Sequence, residues 1–181
     1  MKITPLVLLI TFCLISISLP AKKSAETHKL ESGEPSIVTV EENGFTFQHP
    51  GDWQRNYEQK APNDPIDIII LDCPQNSYLK FLIVDGVKFD TEQKLKDILQ
   101  SYVTAITTYT KKDIRRWGTF YGQGVQIEGK VMNQFPGGIR IFVSDPIDGK
   151  HFIVTEFYYA EDIEAYMRGV DMIQGTLKKS H

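Results

Sequence analysis

Ile66-Asp-Ile-Ile-Ile-Leu71, followed after six residues by Tyr78-Leu-Lys-Phe-Leu-Ile-Val84, is apolar at nearly every position. Both runs are too short for helices, and neither shows the strict alternation of a strand with one wet face. A strand that is apolar on both sides must be covered on both sides. These two stretches therefore predict a sheet with a layer packed against each face.

Working outward, the remaining elements follow from turn signals and periodicity. Ser36 to Val40 is a β-branched strand, Asn43-Gly44 is a hairpin-type turn, and Phe45 to His49 returns before Pro50-Gly51. Asn56 to Pro65 reads as a polar loop. Asp90 is placed to cap a helix, with Gln93 three residues on for a capping box. Leu95, Ile98, Leu99, Tyr102, Val103, Ile106 and Tyr109 form its apolar stripe. A second helix is predicted from about Glu161 to Leu177, with Ile163, Tyr166, Met167, Val170, Ile173 and Leu177 on one side.

Four strands are predicted between the helices. Ile114–Tyr121 is separated by a turn at Gly122-Gln123-Gly124 from Val125–Met132, and a loop at Phe135-Pro-Gly-Gly138 precedes Ile139–Val143. Asp145-Pro-Ile-Asp-Gly149 then turns into Phe152–Tyr159, apolar on both faces except at Glu156. Short strands joined by short turns pair antiparallel. The expected class is α+β, a mostly antiparallel sheet sandwiched between two helices.

The N-terminus addresses this domain. Met1-Lys2 is a basic start, Ile3 to Leu19 is almost wholly apolar, and Lys22-Lys23 resumes polar sequence. That is the layout of an export signal, with Ser16 and Ser18 as the small residues before a cut after Ser18. The expected organisation is a signal peptide over 1–18, a flexible leader over 19–35 and one globular domain over 36–178. The product is secreted or periplasmic. The alternative is a membrane anchor through residues 3–19, near the lower length limit for a spanning helix. Phe12 stands where a lipidation site at Cys13 needs a small residue, so lipidation there is not expected.

Composition bounds the function. With 41% hydrophobic and 24% charged residues among 181, the chain has the make-up of a soluble domain. A net charge of −3 without a basic run disfavours nucleic acid as a partner. Cys73 is the single cysteine outside the signal, so the domain forms no internal disulfide. It is expected to be packed at the end of the Ile68–Leu71 run. No Asn-x-Ser/Thr sequon occurs, in keeping with a bacterial envelope protein.

Phe45-x-Phe-x-His-Pro-Gly-Asp-Trp53 and the C-terminal helix after the paired-aromatic strand resemble the PsbP-like (DcrB-like) superfamily. The resemblance covers roughly Ser36 to Leu177, mostly as topology. It implies a layered fold with an antiparallel sheet between helices, and an accessory or binding role. That superfamily has no shared catalytic apparatus, so no residue role is carried over.

Catalytic and metal chemistry has little foothold. No Gly-x-Ser-x-Gly elbow occurs, and Gly122-x-Gly124 is too short for a phosphate cradle. His28, His49, His151 and His181 form no pair at ligand spacing, so no zinc site is expected. His49 is expected to pack with one nitrogen on the turn backbone, and His151 to be exposed. Asp145 and Asp148 read as turn formers. Glu156, between Val154 and Tyr158, is expected to form a salt bridge if buried.

Arg115-Arg116-Trp117 is the candidate partner-binding site, because Trp and Arg concentrate interface energy. The expectation is a non-catalytic binding or accessory protein of the bacterial envelope, without cofactor, metal or nucleic acid, acting on an envelope protein partner. The alternative is a carrier or sensor of a small apolar or lipidic ligand at the membrane, lined by Phe45, Phe47, Trp53, Tyr102 and Phe157.

Overall fold

The structure, a computed structural model, describes residues 36–42, 44–56 and 66–180. The expected signal and leader, and nearly all of the Asn56–Pro65 loop, lie outside the described residues. In chain order the elements are β1 (Ile37–Glu42), β2 (Phe45–Pro50), β3 (Gln54–Asn56), β4 (Ile66–Asp72), β5 (Tyr78–Asp85) and α1 (Thr91–Val103). They continue with β6 (Ile106–Trp117), β7 (Phe120–Val131), β8 (Phe135–Ser144), β9 (Lys150–Tyr159), α2 (Ile163–Thr176) and β10 (Lys178–Lys179). The class is α+β, as expected.

The strands form two sheets, one of seven in the order β3-β4-β5-β9-β8-β7-β6 and one of three in the order β1-β2-β10. All pairs are antiparallel. Strand alternation sends neighbouring side chains to opposite faces of the large sheet. Phe142, Phe152, Val154 and Tyr158 join a cluster with Phe45, Phe47, Trp53, Phe81, Trp117 and the α2 residues Tyr166, Val170 and Ile173. Ile139 and Ile141 instead meet Leu95, Ile98, Leu99, Tyr102 and Val103 of α1. Each large apolar side chain so buried contributes about 1.5–3 kcal/mol.

Five expectations need correction. The face that meets α2 is not covered by a helix alone, because the β1-β2-β10 sheet shares it. Nothing apolar marks β10: Lys178 and Lys179 are held by backbone pairing with Thr46 and Phe45, and by a Lys179–Asp148 ion pair. Helix α1 ends at Val103, and Ile106 and Tyr109 belong to β6. The β-branched run Ile106-Thr-Thr-Tyr-Thr110 favours extended backbone there.

The glycine turns are also displaced. The β6–β7 turn falls at Gly118, with φ +56°, rather than at Gly122-Gln123-Gly124. Gly122 lies inside β7, where a Cβ would come within 2.2 Å of the Val143 carbonyl oxygen. Phe135-Pro-Gly-Gly138 is likewise not a loop but the start of β8, pairing from Val131↔Phe135 to Glu128↔Gly138. The turn precedes it at Met132 and Asn133, both at positive φ. Asp90 caps α1 as expected, accepting from the Gln93 amide at 3.0 Å. The Gln93 side chain completes no box and donates to Asp97 at 2.8 Å.

Two glycines offer opposite tests. Gly122→Ala should destabilise by about 1–3 kcal/mol, because its methyl meets rigid backbone. Gly175→Ala, in α2 with nothing within 4 Å of the added carbon, should stabilise by up to about 1 kcal/mol. Urea midpoints at unchanged slope measure both, and a neutral Gly122→Ala would contradict the strand placement.

Candidate functional site

Glu156 lies near the C-terminal end of β9, on the face that meets the small sheet and α2. It is fully buried. Its Oε1 accepts from Trp117 Nε1 at 2.7 Å and from Arg140 Nη1 at 3.1 Å. Arg140 is its direct partner across β8, and Trp117 ends β6. Oε2 has no hydrogen-bond partner. Tyr166 stacks between Trp53 and Tyr158 and donates its one proton to the Tyr78 carbonyl at 3.2 Å.

Burial raises the Glu156 carboxyl above the usual carboxylate range. Arg140 and Trp117 pull against that shift without cancelling it. Desolvation of a carboxylate with one oxygen unbonded outweighs one ion pair. The salt bridge expected of Glu156 is present, and the constellation is a tie within the core rather than an open acid or base.

Other titratable groups are also turned inward. Cys73 is buried, its thiol 3.5 Å from the Leu71 carbonyl, and burial pushes it far above the ordinary thiol value. A thiol held protonated is a poor nucleophile. His49 is buried with Nδ1 2.7 Å from the Pro50 carbonyl, as expected. His151, expected to be exposed, is buried. Its Nδ1 lies 3.0 Å from the Ser144 carbonyl and its ring centroid 4.2 Å from that of Phe89. Among the described residues no group of three His, Cys, Asp or Glu is placed to hold a metal ion. No helix among them is long and apolar enough to cross a membrane.

The three candidate partner residues divide. Trp117 presents no contact surface: it is 1% exposed and packs edge-on to Phe81 at 5.6 Å. Arg115 and Arg116 are exposed. Arg116 donates to the Gly118 carbonyl at 2.6 Å and lies 5.6 Å over the exposed Tyr121 ring. Arg115 lines a groove of about 330 Å³ between α1 and β6, with Leu95, Leu99, Lys96 and Lys111.

What sequence reasoning missed is the edge on which these arginines stand. Strand β6 is 12 residues long, ends the seven-stranded sheet, and among the described residues pairs only with β7. Its register shifts between Thr107 and Thr110, where Thr108 has φ +50°, and again between Ile114 and Arg116. Between the shifts run five consecutive pairs, Thr110↔Glu128 to Ile114↔Gly124. Lys111, Lys112, Arg115 and Arg116 oppose the single acid Asp113 along it. The dense Thr and Lys/Arg pattern was the available signal.

The aromatic lining expected for an apolar ligand is not assembled. Phe45, Phe47 and Trp53 are packed in one cluster, while Tyr102 and Phe157 lie in the other. A separate pocket of about 300 Å³ opens beside Trp53 and Tyr166, with Asp52, Asp162 and Arg168 among its lining residues.

The pH dependence of stability tests the Glu156 environment. A carboxyl raised in the folded state contributes stability that is present below the ordinary value of 4.5 and lost as pH rises through the folded value. Glu156→Gln is neutral throughout, so its stability relative to the parent should climb as pH rises above 4.5 and then level off. Denaturation of both proteins across that range gives the difference, and a pH-independent difference would overturn the assignment.

Comparison with family models and with curated proteins gives no match. Among the solved structures similar to this chain are two. One is cyanobacterial PsbP (CyanoP) from Synechocystis sp. PCC 6803, with TM-score 0.49 and 9% identity over 85% of this chain and 98% of that one. The other is LpqN, described as involved in cell envelope biogenesis of Mycobacterium tuberculosis, with TM-score 0.44 and 13% identity over 82% of this chain and 93% of that one. Both are likenesses of chain course alone.

Proposed function

We propose that this chain is an exported, non-catalytic binding or accessory protein of a bacterial cell envelope, working by contact with a protein partner. The observation that carries the reading is the long basic edge β6, which no other described strand covers. Arg115 and Arg116 are the contact residues, and Trp117 serves them from below as an anchor. Export rests on the charged start and apolar run of residues 1–19. The absence of catalysis is supported by the inward engagement of Glu156, Cys73, His49 and His151.

A second reading, a carrier of a small apolar ligand, is supported by the pocket beside Trp53 and Tyr166. At about 300 Å³ it stands at the lower end of the size range of ligand sites. The first reading accounts for more of the surface.

Capture of the partner from crosslinked envelope fractions tests the proposal. Arg115→Glu/Arg116→Glu should abolish stoichiometric capture and leave the melting temperature nearly unchanged, since both side chains are exposed. Trp117→Ala should instead cost about 3–5 kcal/mol of stability. Undiminished capture by the double variant would move the contact away from β6.

A further inference from the structure

We infer that the partner offers an extended acidic segment that adds to β6 as an eighth strand of the large sheet. This rests on the reading of β6 as the contact surface and specifies what that surface takes.

An edge strand presents alternate backbone N–H and C=O groups outward, and these select another extended backbone. The uninterrupted part of this edge is Thr110–Ile114, bounded by the two register shifts. A partner of about five residues, an ordinary strand length, spans it. Every side chain from Thr108 to Asp113 is exposed, so nothing described must move aside.

Charge chooses among occupants. Lys111, Lys112, Arg115 and Arg116 against Asp113 leave the edge strongly positive. A second copy of this chain would bring the same cations opposite one another, which disfavours β6 pairing with itself. Basic residues on an edge commonly guard against such self-pairing. The same guard admits a strand of opposite sign, so the charges act as a filter on partners.

An anionic lipid surface fits less well. Lys111 faces with Ile127 and Lys112 with Gln126, so the cations fall on both sides of the strand and gather on no single plane. A flanking peptide strand, in contrast, carries alternate side chains to both sides as well.

The groove beside α1 adds to the specificity. Leu95 and Leu99 supply apolar surface, and Lys96, Lys111 and Arg115 stand around it with Glu92 and Asp113. Lys96 is already paired with Glu92 at 2.7 Å, and Asp113 stands between Lys111 and Arg115, so the groove keeps an excess of one cation.

The test uses the full chain and three synthetic peptides: alternating glutamate and valine, alternating lysine and valine, and the glutamate peptide interrupted by proline. Binding is read by fluorescence anisotropy, and backbone engagement by hydrogen exchange of the β6 amides. The glutamate–valine peptide should bind, slow exchange within Thr110–Ile114, and lose at least about tenfold in affinity in Lys111→Gln/Arg115→Gln. The lysine and proline peptides should do neither. Equal binding of the proline peptide would overturn strand addition, as would unchanged β6 exchange with the glutamate peptide. Slowed β6 exchange with phosphatidylglycerol vesicles but with no peptide would assign the edge to lipid and also overturn it. A photo-crosslinking residue at position 112 separates the two levels of failure. A protein crosslinked there, with no peptide engaging the edge, leaves the accessory reading standing and removes the acidic strand. Capture that survives Arg115→Glu/Arg116→Glu removes the reading beneath it.

Discussion

The Glu156 carboxylate is the point at which the large sheet is tied across its strands. One oxygen receives Arg140 from β8 and the Trp117 indole from the end of β6, while Glu156 itself stands on β9. Backbone pairing orders β9, β8, β7 and β6 side by side and carries β6 to its last pair, Trp117↔Phe120. The indole adds a side-chain anchor inside the core at that end. With Trp117 buried and its one donor engaged, the exposed residues before it have little freedom to slide along β7. The basic edge is therefore set from the interior, by a polar contact that costs desolvation and returns position.

The two helices secure the sheet unequally. Helix α2 buries Tyr166, Gly169, Val170 and Ile173, and Tyr166 stacks between Trp53 and Tyr158. Helix α1 has no buried residue, and its apolar stripe is only partly covered where it meets Ile127, Ile139 and Ile141. Local stability follows buried contact, so α1 is the element that opens at lower cost. It is also the element that walls the groove beside β6. The groove is thus bounded by the edge strand on one side and a lightly held helix on the other.

Much of this was legible in the sequence where one local signal dominates. The apolar runs at Ile66–Leu71 and Tyr78–Val84 announced strands covered on both faces, and Asp90 announced a helix start. Val154-Thr-Glu-Phe-Tyr158 announced a carboxylate that would need a cation. The misreadings share a cause. Gly122 looks like a turn residue because glycine serves turns, but here it is required by the Val143 carbonyl, a neighbour 21 residues away in sequence. His151 looked exposed beside Lys150, and Phe89 and Ser144 bury it. Trp117 looked like a contact residue until Glu156 claimed its proton. β10 consists of two lysines and is a strand only because β2 is there to receive it. Long-range partners decide all four, and a window of sequence cannot hold them.

The same reasoning separates what charge does inside this protein from what it does outside. Inside, Arg140 and Glu156 neutralise one another, and the residual cost falls on an oxygen with no partner. Outside, along β6, four cations stand against one acid in a chain whose net charge is −3. Such local excess against the global sign is not needed for solubility, and mutual repulsion among the cations works against the extended edge that carries them. An opposite charge supplied from elsewhere would relieve that repulsion and at the same time pair the open backbone. The two open properties of β6, its solvent-facing hydrogen-bonding groups and its charge, would be met together by the acidic strand proposed above.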